Sequence, residues 1–272
     1  MRNRQMDIIT MPTRKSCVLP WLFIAATSLA QAATPPRCFR TYTLAYHEHG
    51  MLYSKALDQG IDKDVAQEMI RRSGCNVDVS VMPRARIWAL IESGQLDFSM
   101  SGITNAERDR FASFGWYLFN KYYLLVRKDA GVRSIDEFQS RNNLTLGAIR
   151  SFRYSDRFNQ LADALRAENR IIDVLNHDQL LGMLRLGRIQ GIIVEPFNYS
   201  QIEQRELHEI TNVFESRDPA ILHGLIMSKK SLSKEEQQYW RGIIDSMRQD
   251  GTLFRIMRKY FDDAQAKAMT TF

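Results

Sequence analysis

Arg108 has the clearest chemical capacity in this chain of 272 residues. Its guanidinium is a planar fork of donors that matches a carboxylate, and the turn ahead of it, through Gly102, Thr104 and Asn105, can add backbone N–H and hydroxyl donors beside it. A plainer reading competes, because Arg108 follows Glu107 and such pairs at a helix start are commonly solvated. Glu195 stands just before Pro196, where its carboxylate either serves a binding site or caps the following helix against the positive end of the dipole. Arg84, Arg86, Arg150 and Arg153 add positive charge suited to an anionic ligand such as an acidic amino acid or a small dicarboxylate, although long arginines on loops usually stay in water. Tyr46 and Tyr53 offer aromatic surface or ordinary packing, and Trp88, Trp116 and Trp240 read as packing residues. His47-Glu48-His49 puts two imidazoles on one face of an extended segment, but no third ligand follows at a spacing known for metal sites, so no metal and no cofactor is expected. The chain has no nucleophile elbow, catalytic triad order, P-loop or dinucleotide glycine fingerprint, which argues against a hydrolase or a nucleotide-dependent enzyme.

Such groups converge when they stand at the carboxyl ends of parallel strands, where helix N-termini also point. The sequence provides that arrangement. Val77, Val79 and Val81 alternate as in a strand, whereas Ile61, Val65, Met69 and Ile70 recur at helical spacing between Gly60 and Gly74. A second helix follows Pro83, with Ile87, Leu90 and Ile91 on one face and Gly94 at its end. With strands over 42–46, 77–82 and 98–101, the order is βαβαβ, which argues for a mostly parallel sheet covered by helices. The pattern then repeats, with strands over 144–149, 171–175 and 191–194 and helices over 155–168 and 177–186. Extended apolar runs at 122–127 and 222–227 read as two crossings between the units, and helices at 234–247 and 253–261 close the chain. Four places then lie at strand ends: 46–49, 83–86, 102–108 and Glu195.

The stretch 94–128, GQLDFSMSGITNAERDRFASFGWYLFNKYYLLVRK, resembles the carboxylate-binding signature of bacterial family 3 solute-binding proteins, the periplasmic amino-acid receptors. In that family the pattern runs Gly, apolar, Thr, apolar, Thr, Pro, Glu, Arg; the loop here is one residue shorter. The resemblance extends over nearly all of the chain after the N-terminal segment, through the Gly-x-x-Asp spacing of SGQLD to the Asp-Gly-Thr signal at 250–252. It implies an α/β fold of the type II periplasmic binding protein kind, in which two lobes, each a mostly parallel sheet flanked by helices, are joined by two hinge strands and close over a ligand. The implied division is 33–121 for the first part of lobe 1, 122–227 for lobe 2 with hinge strands at its ends, and 228–272 for helices returning to lobe 1. It further implies that Ser151 and Ser155 face the ligand carboxylate. Glu195 replaces an Asp that holds the α-ammonium group, and Arg84 replaces an aromatic ring that stacks on the ligand.

Residues 1–32 read as a signal peptide. Arg2, Arg4, Arg14 and Lys15 precede an apolar run over 18–26, and Ala30-Gln31-Ala32 supplies a cleavage site near Ala32. Met11 alone would also open a complete signal. Export to the periplasm is the expectation, since the apolar run is shorter than the roughly 20 residues of a membrane anchor. Losing four basic residues and one acid takes the formal charge from +6 to +3, too small and too evenly spread to argue for nucleic acid. Cys17 leaves with the signal, and Cys38 and Cys75 remain, each just ahead of a strand expected to pair in parallel with the other. A disulfide between them suits an exported protein; two unpaired small apolar residues are the alternative. The expected function is capture of a small carboxylate-bearing solute, in the first place an amino acid, by a monomer without catalysis, for an inner-membrane ABC permease or a membrane sensor. An enzyme on the same scaffold, similar to the periplasmic cyclohexadienyl-acid dehydratases, and an interaction protein are the alternatives.

Overall fold

The computed structural model describes Cys38 and residues 40–272, so the signal segment read over 1–32 lies outside the described residues. The chain forms two five-stranded sheets in succession. The first holds β1 (Tyr42–Tyr46), β2 (Val77–Val81), β3 (Phe98–Gly102), β4 (Ala112–Asn120) and β10 (Ile221–Ser228), in the spatial order β2-β1-β3-β10-β4. The second holds β5 (Tyr123–Arg127), β6 (Leu146–Ile149), β7 (Ile171–Val174), β8 (Gly191–Val194) and β9 (Thr211–Glu215), ordered β7-β6-β8-β5-β9. In each sheet three strands run parallel, and two more, one of them from the far side of the chain crossing, pair antiparallel. The fold is therefore the expected two-lobed α/β architecture, each lobe a mixed sheet in which three of the five strands form the parallel part.

The crossings fall where the sheets change. β4 runs into β5 through Lys121 and Tyr122, and the chain returns between β9 and β10 over 216–220. The apolar run 222–227, expected to be a crossing at the end of lobe 2, instead forms β10 in the middle of the first sheet. Its side chains Leu225, Ile226 and Met227 are fully buried there, which is why the run is apolar on both faces.

Local sequence sets the helices that position the strand ends. α1 (Ile61–Ser73) buries Ile61, Val65, Ala66 and Met69 and stops at Gly74, whose left-handed φ of 66° allows its N–H to close on the Ile70 carbonyl. α2 (Arg84–Ser93) starts directly after Pro83 and stops at Gly94 in the same way. In lobe 2, α3 (Ile135–Ser140) is capped by the Ser134 side chain, and α4 (Asp156–Ala167) begins after Ser155. α5 (His177–Arg185) is capped by Asn176, and α6 (Tyr199–Gln204) and α7 (Leu207–Ile210) are short. α8 (Lys234–Gln249) opens with a capping box between Ser233 and Glu236 and carries Trp240, Ile243, Ile244 and Met247 into lobe 1, followed by α9 (Thr252–Met257) and α10 (Asp263–Thr270). No helix among the described residues is long and apolar enough to cross a membrane.

One lobe 2 residue packs in the lobe 1 core. Phe197, in the 3-10 turn after β8, joins the cluster built from β1, α1, α8 and α9, and its carbonyl accepts the Met51 N–H at 2.8 Å. Gly50 makes that approach possible: a Cβ there would lie 2.1 Å from the Phe197 oxygen, and its φ of 49° is left-handed.

Cys38 and Cys75 form a disulfide, with Cα atoms 5.4 Å apart across the start of the parallel β1 and β2 pair. It closes a segment of 37 residues. Replacing both with Ser is expected to remove about 3 to 4 kcal/mol, seen in scanning calorimetry as a Tm lowered by roughly 6 to 16 °C. An unchanged Tm would show that the covalent link constrains nothing that the parallel strands do not already hold.

Candidate functional site

The strand ends of the two lobes face one another around a cavity of about 20 Å³, room for a single water. Its lining comes from His47, His49, Arg84, Ser101, Ile103, Arg108, Tyr122, Phe152, Arg153, Glu195 and His223. All four strand-end segments named from the sequence contribute to it. The cleft is narrow because these side chains themselves fill it.

Arg108 is buried at the start of a 3-10 turn. The Asn105 side chain accepts the Arg108 N–H at 2.8 Å, which closes the turn and aims the guanidinium inward. Its NH1 donates to the Ile103 carbonyl in lobe 1 at 3.0 Å and its NH2 to the Ser151 carbonyl in lobe 2 at 3.0 Å, so a single side chain spans the cleft. The Trp88 ring lies 4.0 Å from the guanidinium carbon. Burial, followed by the nearby Arg84 and Arg153, pulls the guanidinium pKa down to about 9.

The turn carrying Arg108 grows from a strained strand end. Ser101, the penultimate residue of β3, has a φ of 51°, in the left-handed region that non-glycine residues avoid. Three partners hold it there. Its N–H donates to the Tyr117 hydroxyl at 2.6 Å, its hydroxyl donates to Asp62 at 2.7 Å, and its carbonyl accepts from Arg84 at 2.8 Å. Asp62 also accepts from Tyr117 at 2.6 Å, and its burial pushes the carboxyl up to about 6 against those hydrogen bonds. Arg84, bonded to Met100 as well, thus reaches the cleft from the start of α2 and does not merely occupy the place of a stacking ring.

Glu195 ends β8 and is buried. Its Oε2 accepts from the Asn120 amide at 2.6 Å, its Oε1 lies 2.9 Å from His49 Nε2, and His223 Nε2 is 3.7 Å away. It also caps the 3-10 turn through Asn198, so the binding and capping readings coexist. Burial raises its pKa, opposed by His223, Arg84, Tyr122 and Asn120.

Four of the chain's five histidines meet here. His47 Nε2 is 3.3 Å from His49 Nδ1, the His49 ring stacks on His177 from the start of α5 with centroids 4.2 Å apart, and His223 projects from β10. Phe152 packs edge-on against His47 and His177. His47 and His49 do face the same side while Glu48 turns outward to the Lys55 N–H, as their alternation suggested. No three His, Cys, Asp or Glu side chains among the described residues are arranged to hold a metal ion. The cluster is neutral instead: burial lowers every one of the four, with Arg84 the next cause for His47 and His49, bringing His49 to about 3 and His223 to about 4. The Nδ1 atoms of His47, His177 and His223, Asn120 Oδ1 and Ser155 Oγ are buried without a hydrogen-bond partner among the described residues.

Several expected ligand contacts lie elsewhere. Thr104 is exposed and its hydroxyl donates to Asp109. Gly102 serves packing: a Cβ there would meet Ile226 Cγ1 at 2.3 Å. Asn105 is a cap, and Tyr46 stacks on Tyr53 at 4.6 Å in the lobe 1 core. Ser151 is exposed and offers its carbonyl, while Ser155 is buried at the N-cap of α4. Arg86 and Arg150 are exposed; Arg153 is exposed but borders the cavity. His177, His223, Tyr122, Phe152 and Asp62 were missed. The histidine inside the apolar run 222–227 was the visible signal for one of them, and the strand-end rule applied to β7 would have reached His177.

The neutral imidazoles fix a pH dependence. Below the ordinary histidine value of 6.5 the unfolded chain takes up protons that these buried rings refuse, so stability present at neutral pH is lost as pH falls from about 6.5 toward 4 and 3. Asp62 and Glu195 act oppositely, since their raised values favour the folded state as protons bind, but four rings outnumber two carboxyls. Tm is expected to fall from pH 7 to pH 5, and His177→Phe, which keeps a stacking ring, to flatten the slope by about 1.4 kcal/mol per pH unit. Calorimetry in a buffer series checks this, and a pH-independent Tm would refute the neutral cluster.

With this geometry the family can be placed. The model for bacterial extracellular solute-binding proteins, family 3, matches residues 46–263. Among curated proteins none matches by sequence. Among solved structures, an ancestral arginine-binding protein bound to arginine is 16% identical with a TM-score of 0.68, over 82% of this chain and 98% of its own. The arginine-, lysine-, histidine-binding protein ArtJ from Geobacillus stearothermophilus is 15% identical with a TM-score of 0.68, over 82% and 95%. The GluR0 ligand-binding core from Nostoc punctiforme, in complex with L-glutamate, is 13% identical with a TM-score of 0.67, over 81% and 99%. These likenesses concern the fold, while the family match spans most of the sequence: the chain belongs to the bacterial extracellular solute-binding proteins, family 3.

Proposed function

We propose that this protein is a periplasmic receptor that captures a small carboxylate-bearing solute, in the first place an amino acid, between its two lobes, and that it breaks no bond. The observation that carries this reading is Arg108, a buried guanidinium that touches the backbone of both lobes at once and can trade those carbonyls for a ligand carboxylate. The similar structures that hold arginine or glutamate support an amino-acid ligand on this fold. The family supports an extracellular or periplasmic place, and the signal-like sequence over 1–32 agrees with it. An ABC permease or a membrane sensor is the proposed partner, with the receptor acting as a monomer.

One observation favours a second reading. Glu195 and His49 stand 2.9 Å apart, though not aligned in a hydrogen bond, with His223 beside them, and such a buried acid beside imidazoles is of the kind that moves protons in enzymes. A dehydratase acting on cyclohexadienyl acids would use it with Arg108 holding the substrate carboxylate.

Thermal unfolding of the refolded mature protein, recorded against amino acids, dicarboxylates and cyclohexadienyl acids, separates the readings. A bound ligand at roughly a thousand times its Kd adds about 4 kcal/mol, hence roughly 8 to 16 °C in Tm. The receptor reading expects such a shift with one chemical class, its loss in Arg108→Ala, and recovery of the ligand unchanged. Recovery of a dehydrated product would establish the enzyme, and no shift with any compound would remove Arg108 from the role given it here.

A further inference from the structure

Two buried guanidiniums share one wall of the cleft, and among the described residues no carboxylate makes a hydrogen bond or ion pair with either of them. Arg84 and Arg108 are 7% and 6% exposed, and both lie against the indole of Trp88, 5.0 and 4.0 Å from its centroid. Their hydrogen bonds go to neutral backbone carbonyls: Arg84 to Met100 and Ser101, Arg108 to Ile103 and Ser151. The comparison within the same chain is Arg170, equally buried at 6% but outside the cleft, which has Glu168 at 2.6 Å. Burying a cation is costly unless a counter-ion accompanies it, and two such cations close together add their mutual repulsion.

The two nearest buried carboxylates are committed elsewhere. Glu195 faces His49 and Asn120, and Asp62 holds Tyr117 and Ser101. Asp62 and Glu195 favour the charged Arg84 only from a distance, so a single ligand carboxylate on Arg108 would leave Arg84 without a bonded counter-ion, whereas a second carboxylate would supply one. The other arginines suspected from the sequence do not compete for this role, since Arg86 and Arg150 are solvent-exposed.

We propose that Arg84 is a second anion-holding group of the ligand site, so that the solute carries two carboxylates on a short carbon chain, one held by Arg108 and the other by Arg84. This rests on the receptor reading above and narrows it. Acidic amino acids and plain dicarboxylates share the chemistry; they differ in an ammonium group, for which Glu195 would have to exchange its present partners.

The test titrates refolded wild-type protein by calorimetry with L-aspartate, L-glutamate, succinate and glutarate, and with the amides L-asparagine and L-glutamine. At least one diacid is expected to bind about 10- to 100-fold more tightly than the amides, the range for one charge-assisted contact. Arg84→Met is expected to abolish that preference while leaving residual binding, and Arg108→Ala to abolish binding of all six compounds. Glutarate or succinate matching the amino acids would assign a dicarboxylate; their failure beside a tight L-glutamate or L-aspartate would assign an acidic amino acid. Equal binding of amides and diacids overturns the proposal and leaves the receptor reading standing. Silence from the diacids also overturns it, and the receptor reading falls with it if no other carboxylate in the wider panel binds. Because Arg84 also holds the end of β3, folding of the variant is checked by circular dichroism. Should Arg84→Met not fold, Arg84→Lys, which keeps the charge and loses the fork, takes its place with a weakened preference expected, and the wild-type comparison decides alone if neither folds.

Discussion

Arg108 is suspended between two carbonyls that belong to different lobes, and the cost of keeping a desolvated cation there shapes everything around it. Its own turn is closed by Asn105, its flat face rests on Trp88, and the strand end that delivers it is fixed by Asp62, Tyr117 and Arg84. Each of those contacts restrains a group that would otherwise move into water. The left-handed Ser101 shows how much is invested: a non-glycine residue keeps that conformation only when its surroundings over-determine it. A donor fork held in position suits a planar anion better than a diffuse positive charge would.

The histidines follow from the same constraint. Two buried guanidiniums already supply the positive charge of the cleft, so additional polar groups must be neutral, and burial beside Arg84 keeps the imidazoles so. Neutral rings still bring directional donors and acceptors, and three of them leave Nδ1 unpartnered at the lobe boundary. That arrangement suits recognition of a polar solute by hydrogen bonds without raising the electrostatic cost further.

Much of this was legible in the sequence because it depends on short-range rules. The alternation of Val77, Val79 and Val81, the helical spacing from Ile61 to Ile70 and the glycines at 74 and 94 encode their elements locally. The disulfide followed from parallel neighbours, and the Arg108 turn carried a recognisable order of residues. What stayed hidden depends on register between distant segments. Leu222 to Met227 looked like a crossing because a central strand and a hinge strand share the same apolar composition. Thr104 was expected beside the ligand but bonds Asp109 at the surface, and Asp62 could not be singled out because its partners Ser101 and Tyr117 come from strands far along the chain. His223 and His177, 46 residues apart in sequence, meet the same cleft from a strand of one lobe and a helix of the other.

The distribution of contacts between the lobes also sets what has to give way before a solute can enter. A solute larger than water needs the lobes to part, since their side chains leave only about 20 Å³ between them. The contacts around the cleft are mostly polar, among them Arg108 to Ser151, His49 and Asn120 to Glu195, and the stacked rings of His49 and His177, with Phe152 packed against His47 and His49. A ligand carboxylate can replace the first, and water can solvate the other polar ones. Phe197, with its ring 6.5 Å from that of His49 and 6.3 Å from that of His223, is buried in the lobe 1 core, and its carbonyl holds Met51 beneath a glycine that admits no larger residue. Withdrawing that ring would forfeit about 2 to 3 kcal/mol of apolar burial with no ligand group to replace it. Parting the lobes therefore exchanges polar contacts that water or a ligand can replace, and is resisted by the Phe197 ring, which neither can.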